Sequence, residues 1–250
     1  MAIGASAGGL EALELFFEAM GPESGAAFVI IQHLSPDFPS VMDELLARRT
    51  RMRIRAAKGG LAVEPNVVYL RPAQQTLIIE QGLLLLKQED KKTHLNFPID
   101  AFLKSLARDQ TDKAIAVILS GTGTDGTLGA AAIRDAGGIV LAQDPATARF
   151  DSMPRSLIER NLANASAPPK LLPRLVQRMI DGETLPLADE PVDEGRSVDP
   201  ERQILQLLQR RCGTDFGHYK KSTVGRRIRR RAEMAHIDDL ATYAAKLARE

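Results

Sequence analysis

The sequence is 250 residues long, with 44% hydrophobic and 26% charged positions and a formal net charge of +1 at pH 7. A chain of this composition can bury one or two hydrophobic cores, and its near-neutral charge excludes a global bias toward nucleic acid, membrane surfaces or acidic polymers. The one cysteine, Cys212, excludes an intrachain disulfide and a cysteine-based metal cage, as is typical of a reducing compartment.

No apolar run reaches the roughly 18 to 20 residues that a membrane span needs, and no basic segment followed by an apolar stretch begins the chain. We therefore expect a cytoplasmic protein with no direct membrane insertion. The first glycine-rich motif already starts at Gly4, which leaves little sequence for a complete first strand. We expect that the natural chain begins earlier.

From residue 1 to about 182, short apolar runs alternate with longer amphipathic segments, which predicts an α/β fold with a doubly wound, mainly parallel sheet. Residues 75–87 predict an antiparallel hairpin at one edge of that sheet, with Gln81-Gly82 as its turn. The other predicted strands are Ala26–Gln32, Val67–Leu70, Ala114–Ser120 and Gly138–Gln143, and the predicted helices are Gly9–Met20, Val41–Arg49, Ile99–Ala107, Leu128–Ala136 and Pro154–Arg160.

The pattern changes at residues 183–199, where acidic residues and prolines replace the apolar periodicity. We interpret this segment as a linker between a domain of residues 1–182 and a second domain of residues 200–250. The second domain contains no convincing strand and is expected to be small, all-α and incomplete at residue 250. Its predicted helices are Glu201–Cys212, Lys221–Ala235 and Leu240–Arg249.

A serine lies between glycines in Gly4-Ala-Ser-Ala-Gly-Gly9, directly before a predicted helix. The spacing fits the nucleophile elbow Gly-x-Ser-x-Gly, in which a tight turn presents the serine hydroxyl and the helix start supplies backbone N–H groups. The same turn would bind a phosphate or a dinucleotide, because oriented amides at a helix start bind any anion. Ser6 alone leaves both interpretations open, and anion binding is the commoner use of such a turn.

His33 and Asp125 also follow predicted strands. His33 comes after the apolar run 28–31, and Asp125 lies in Ser120-Gly-Thr-Gly-Thr-Asp-Gly126, after another apolar run. Taken singly, His33 would be a loop histidine and Asp125 the N-cap of the following helix. The carboxyl ends of parallel strands share one edge of a sheet, so we expect Ser6, His33 and Asp125 to lie together there.

These three residue types suit nucleophilic catalysis. An imidazole takes the proton of a hydroxyl that is too weakly acidic to attack unaided, and a carboxylate orients the imidazole. Backbone N–H groups of Ala7 and of the loop that contains Thr122 are then expected to stabilise the oxyanion. The order serine, histidine, aspartate along the chain differs from that of the α/β-hydrolases, so we expect a different fold.

Further short motifs accompany these residues, and the full set is Gly4–Gly9, Gln32-His33, Pro98-Ile99-Asp100, Leu119–Gly126, Gln143-Asp144 and Met153-Pro154. Together they resemble the catalytic domain of the chemotaxis methylesterases, the CheB family. The resemblance implies that Ser6, His33 and Asp125 hydrolyse glutamate methyl esters on chemoreceptors, often with glutamine deamidation, and that no cofactor is needed. Two departures are Thr122, where the family usually has methionine, and the lack of the receiver domain that normally precedes the catalytic domain.

The second domain carries Gly213-Thr-Asp-Phe-Gly-His-Tyr-Lys-Lys221, an arginine-rich run at 226–231, and Leu240-Ala-Thr-Tyr243. These residues resemble the N-terminal helical domain of the CheR methyltransferases. The resemblance implies a CheB-CheR fusion whose partner is the cytoplasmic helices of methyl-accepting chemoreceptors. The S-adenosylmethionine-binding domain of that family would follow residue 250, so we expect no methyl transfer by this chain.

Seven basic residues lie between Lys220 and Arg231. A solvated helix face and a binding surface are both open interpretations; the CheR resemblance favours an acidic protein surface, and no interleaved aromatic residues support nucleic acid binding. His94, His218 and His236 lack partners at metal-ligand spacing, so we expect no metal site. The alternatives to a receptor methylesterase are a non-catalytic phosphate- or nucleotide-binding regulator and an esterase for small esters.

Overall fold

The computed structural model describes residues 1–33, 42–88 and 97–183 and, in the C-terminal part, residues 204, 227–232, 235, 237 and 240–249. The chain divides into two compact units, Met1–Val192 and Asp193–Glu250. The predicted linker lies outside the described residues from residue 184 onward. Nothing in the described ranges forms a helix with both the length and the apolar character that crossing a membrane requires.

The first unit is built on a seven-stranded sheet in the order β10-β9-β8-β1-β2-β5-β3, and every neighbouring pair in it is parallel. The order reverses between β1 and β8, which is the switch point of a doubly wound sheet and confirms the predicted fold class. The strands of this unit are β1 (Ala2–Ala5), β2 (Phe28–Gln32), β3 (Arg53–Ala56), β4 (Leu61–Ala62), β5 (Val67–Leu70), β6 (Gln75–Glu80), β7 (Leu83–Gln88), β8 (Ile115–Ile118), β9 (Ile139–Gln143) and β10 (Ala165–Ala167).

Helices cover both faces of the sheet, because successive strand residues point to opposite sides. In β2, Val29 and Ile31 pack in one cluster with three helices, whereas Phe28 and Ile30 pack in the other. The first layer consists of α3 (Pro98–Gln110), α4 (Thr127–Asp135) and α5 (Ser152–Glu159), and the second of α1 (Gly9–Ala19), α2 (Met42–Ala47) and α6 (Leu172–Ile180).

The predicted hairpin forms, with both turn residues, Gln81 and Gly82, at positive φ as the tight turn requires. It differs from the prediction in its partners. Strands β6 and β7 hydrogen-bond with β4 in a separate three-stranded antiparallel sheet, and the edge next to β5 is occupied by β3. The hairpin instead packs on α3, where the Ile79 N–H donates to Ser105 Oγ at 3.0 Å.

The first strand forms, although the sequence suggested that too few residues precede Gly4 for a complete strand. Residues Ala2–Ala5 form β1 at the centre of the sheet, paired with β2 over four residues and with β8 over three. Pairing on both sides satisfies the backbone of this short strand, so Ser6 follows a fully built strand end.

In the second unit, the predicted helix Leu240–Arg249 is present as α7, and residues 227–232 are helical. Ile204 and Ile228 are buried and pack against Leu240, Tyr243 and Leu247. The predicted helix Glu201–Cys212 lies outside the described residues apart from residue 204.

Candidate active site

Three neighbouring strands position the predicted site residues. Ser6 directly follows β1, His33 directly follows β2, and Asp125 lies in the loop that leads from β8 to α4. Because β1 lies between β2 and β8 and all three are parallel, their carboxyl ends meet at the same edge. The structure thus brings together the three side chains that the sequence assigned to one site.

The three side chains form one hydrogen-bonded chain. Ser6 Oγ lies 3.0 Å from His33 Nδ1, and His33 Nε2 lies 2.9 Å from Asp125 Oδ2. An ionised carboxylate only accepts, so Nε2 carries the ring proton and the lone pair of Nδ1 faces the serine hydroxyl. In the common serine proteases Nε2 faces the serine and Nδ1 faces the aspartate, whereas here Nδ1 faces the serine and Nε2 the aspartate. The chemistry is the same because either ring nitrogen can act as the base.

The turn that presents Ser6 depends on close backbone approach. The Ser6 N–H donates to the Ser120 carbonyl at 3.0 Å, and Gly8 has the positive φ of 70° that precedes α1. A Cβ on Gly121 would lie 2.9 Å from Ser6 Cβ and 2.0 Å from Met153 Sδ. Only glycine therefore allows the 120–126 loop to lie against the serine.

Asp125 is almost fully buried, with 3% of its surface exposed. Its Oδ2 accepts the Ile99 N–H at 3.0 Å as well as the imidazole N–H, and its Oδ1 accepts the Asp100 N–H at 2.9 Å. The carboxylate therefore caps the first turn of α3 from across the fold. The alternative that it caps the helix following it is wrong, because the N-cap of α4 is Gly126 and the bonds of Asp125 go to α3 and to His33.

Asp100 lies beside the triad and entered the sequence analysis only as part of a family motif. Its buried carboxylate accepts the Gly129 N–H at 2.7 Å, in the first turn of α4. Burial raises the pKa of Asp100 above its ordinary value and the charge of Asp125 raises it further, whereas the amides of Gly129 and Gly126 act in the opposite direction.

Ser120 and Gln143 hold the two loops of the site together. The Ser120 hydroxyl donates to the Ala7 carbonyl at 2.9 Å and accepts the Phe150 N–H at 3.0 Å, and its N–H donates to Gln143 Oε1 at 2.8 Å. The sequence analysis names Ser120 only as part of a motif, because a serine beside a glycine-rich loop carries no signal of its tertiary partners.

The Ser6 turn and the 120–126 loop that lies against it each offer a candidate backbone amide for an oxyanion. Gly121 is not available, because its N–H donates to the Phe150 carbonyl at 2.9 Å. The N–H groups of Ala7 and Thr122 donate to no acceptor within the described part of the chain. These are the two amides that the sequence analysis named, and Thr122 supplies its N–H whatever its side chain.

In the described ranges, no cluster of three or more histidine, cysteine or acidic side chains could hold a metal ion. His94, His218 and His236 lie outside those ranges. The site described above consists of protein groups suited to acid–base and nucleophilic chemistry.

Comparison with known proteins places this site in a family. Residues 1–176 match the model of the CheB methylesterase family, and residues 201–250 match that of the CheR methyltransferase all-alpha domain, as the predicted fusion requires. A protein-glutamate methylesterase/protein-glutamine glutaminase of Burkholderia lata is 35% identical over 190 residues, which cover 76% of this chain and 55% of that protein. An uncharacterised 104.1 kDa protein of Rhodobacter capsulatus is 33% identical over 223 residues, 81% of this chain and 23% of that protein.

The fold comparison agrees with the sequence comparison. The crystal structure of the Thermotoga maritima CheB methylesterase catalytic domain matches with a TM-score of 0.66 and 31% identity, over 71% of this chain and 96% of that one. The chain spans about half the length of the methylesterase relatives it matches. From the family match over residues 1–176 and the shared fold, the chain belongs to the CheB methylesterase family.

Proposed function

We propose that this chain hydrolyses glutamate methyl esters on chemoreceptor proteins, with Ser6 as nucleophile, His33 as general base and Asp125 as the group that orients His33. One observation carries the proposal: an unbroken hydrogen-bond chain runs from Ser6 Oγ through His33 to the buried Asp125 carboxylate. The activity named for the Burkholderia lata relative supports the substrate class.

The first half of the reaction makes an acyl-enzyme. Ser6 Oγ attacks the ester carbonyl while His33 Nδ1 takes the hydroxyl proton, and the negative charge that develops on the carbonyl oxygen is stabilised by the N–H groups of Ala7 and Thr122. The intermediate collapses, His33 returns the proton to the leaving oxygen, and methanol departs. The glutamyl group is now esterified to Ser6.

The second half releases the product. Water attacks the acyl carbonyl while His33 takes one of its protons, and His33 then protonates Ser6 Oγ as the acyl bond breaks. The products are a glutamate carboxylate, methanol and one proton for each water consumed. A glutamine amide would follow the same path with ammonia as the leaving group, which gives the deamidase activity that is part of the relatives' name.

The exposure of the site supports a protein substrate. The His33 side chain remains 33% exposed although Asp125 is buried, so the imidazole is partly accessible to solvent while the carboxylate that orients it is not. A methylated side chain that projects from a helix of another protein can approach such a site without entering a closed cavity.

Methanol release from a methyl-labelled receptor fragment tests the proposal. The reference is the unaltered chain, and Ser6→Ala, which removes the nucleophile, should lower release to the uncatalysed rate. Ser166→Ala is the matched control, because this exposed serine lies in β10, away from the triad. Release by Ser6→Ala at the rate of the unaltered chain would reject the mechanism.

A further inference from the structure

We infer that Asp100 is a positioning residue of the triad, because its carboxylate and that of Asp125 cap each other's helices and so fix the group that orients His33. The inference rests on the proposed function and adds a residue to it. Asp100 acts through Asp125.

The first half of this reciprocal pair holds Asp125. Both of its oxygens accept N–H groups from the first turn of α3, those of Ile99 and Asp100. Helix N-termini leave such N–H groups without partners inside the helix, and a carboxylate there is stabilised by hydrogen bonds and by the helix dipole. The position of α3 thereby determines where the Asp125 oxygens lie.

The second half holds the segment that carries Asp125. Asp100 Oδ1 accepts the Gly129 N–H at 2.7 Å, and Gly129 is four residues beyond Asp125 in the first turn of α4. Each helix start is thus bonded to a carboxylate carried by the other segment. A shift of α4 relative to α3 would stretch both connections at once and would move Asp125 Oδ2 away from His33 Nε2.

Close packing leaves little room for such a shift. A Cβ on Gly129 would lie 2.5 Å from Leu103 Cβ and 3.1 Å from Asp100 Cα, so the two helices touch at this point. Gly126, next to Asp125, has a φ of 97°, and a Cβ there would lie 3.0 Å from Ile99 Cγ2. The reciprocal caps therefore lie where α3 and α4 are in close contact.

The buried position of Asp100 supports a functional role. Burial and the neighbouring Asp125 carboxylate raise the pKa of Asp100, which means that ionising this group in the folded protein is unfavourable. Acidic groups placed against such a penalty occur preferentially at functional sites.

Three variants of the full chain test the inference. Asp100→Ala removes the acceptor, and Asp100→Asn keeps an acceptor oxygen for Gly129 without the charge. Asp109→Ala is the matched control, because Asp109 also joins α3 to a backbone amide, that of Gly82, but at the far end of the helix. For each variant, kcat and KM for methanol release are measured, with the downfield ¹H resonance of the His33 Nε2 proton and the melting temperature.

Asp100→Ala should lower kcat by about 10- to 100-fold, as small displacements of catalytic groups do, with little change in KM. Its imidazole proton resonance should shift or broaden at temperatures where the protein is folded. Asp100→Asn should retain most of the kcat and the resonance, and Asp109→Ala should retain both fully. If Asp100→Ala does not fold, Asp100→Leu, which fills the space without an acceptor, takes its place.

Two results would overturn the inference: a folded Asp100→Ala protein with unchanged kcat and resonance, or an Asp100→Asn protein that loses as much as Asp100→Ala. The resonance separates this failure from that of the proposed function. If the unaltered chain released no methanol, the proposed function would fail, whereas the imidazole signal would still report whether Asp100 positions the pair.

Discussion

At the scale of single residues, the two oxygens of Asp125 accept three hydrogen bonds from three donors. Asparagine has one acceptor oxygen, and its NH₂ group would face donors. Asp125→Asn should therefore lose the imidazole bond or turn His33 into the wrong tautomer. We expect kcat for methanol release to fall by about 10³- to 10⁴-fold.

The control for this substitution is Asp112→Asn, on an exposed residue of the short helix that precedes β8. Its kcat should equal that of the unaltered chain. A near-normal kcat for Asp125→Asn would show that His33 does not depend on the carboxylate.

The raised pKa of Asp100 predicts how stability depends on pH. Below the ordinary carboxyl range, Asp100 is protonated in both the folded and the unfolded chain. As the pH rises, the unfolded chain ionises first, so the contribution of Asp100 to stability falls until the pH has passed its folded-state pKa. The asparagine of Asp100→Asn cannot ionise, so the stability of this variant does not fall with pH for this reason.

The melting temperature of Asp100→Asn minus that of the unaltered chain should therefore become more positive between about pH 4 and pH 7, the range just above an ordinary carboxyl pKa. Asp109→Asn, at the other end of the same helix, is the reference substitution with which the Asp100→Asn difference is compared. A difference for Asp100→Asn that falls with pH would contradict the assigned direction of the shift.

The sequence could identify Ser6, His33 and Asp125 because each lies after an apolar strand, and strand order alone brings such positions to one edge. It could not identify the partners of Asp125. Asp125 caps α3, whose bonded residue Asp100 lies 25 residues earlier in the chain. This contact depends on how α3 packs against α4, and that packing follows from the volumes of the core side chains. For the same reason, Ser120 and Gln143 were noticed only as members of motifs and not as partners of each other.

At the scale of elements, β2, β5, β8 and β9 were predictable because they are continuous apolar runs of a buried parallel sheet. Strand β3 was missed because Arg53 and Arg55 alternate with smaller residues at the sheet edge, and β10 because it has only three residues, Ala-Ser-Ala. Helix α6 was not predicted. Its second residue is Pro173, and proline is well tolerated in the first turn of a helix, so this residue was a usable signal for the helix start.

The loop that lies against Ser6 yields an element-scale prediction. Gly121→Ala would place a methyl group 2.0 Å from Met153 Sδ and 2.9 Å from Ser6 Cβ. Either α5 or the serine must move, so we expect a loss of about 1 to 3 kcal/mol in the free energy of unfolding together with a fall in kcat.

Gly123→Ala is the matched control in the same loop. Gly123 has a φ of 81° but no atom within 4 Å of an added Cβ, so only backbone strain of about 1 kcal/mol is expected, with less effect on kcat. Urea unfolding and methanol release measure both. Equal falls in kcat for the two variants would show that loop strain, and not contact with Ser6, governs the site.

At the scale of the whole molecule, the first unit contains the triad, and the described residues of the second carry a basic face. Residues 227–232 form a helix whose Ile228 and Ala232 are buried, whereas Arg227, Arg230 and Arg231 are exposed. Under the proposed function, exposed positive charge of this kind would attract an acidic helix of the receptor and raise the local concentration of substrate without changing the chemistry.

We therefore expect a protein of residues 1–183 to hydrolyse a small methyl ester with the kcat of the full chain. Its KM for an intact receptor segment, however, should be higher by up to about tenfold at low salt, because several surface charge pairs with the receptor are lost. The full chain with Arg227, Arg230 and Arg231 changed to Gln should show most of the same increase, and 0.5 M salt should reduce the difference because the charges are exposed. Changing the exposed residues Arg108, Lys113 and Arg134 to Gln alters the net charge equally within the first unit and should leave KM nearly unchanged. Equal KM values for the full chain and residues 1–183 at low salt would show that the second unit does not help to bind the receptor. The proposed esterase mechanism of the first unit would not be affected by that result.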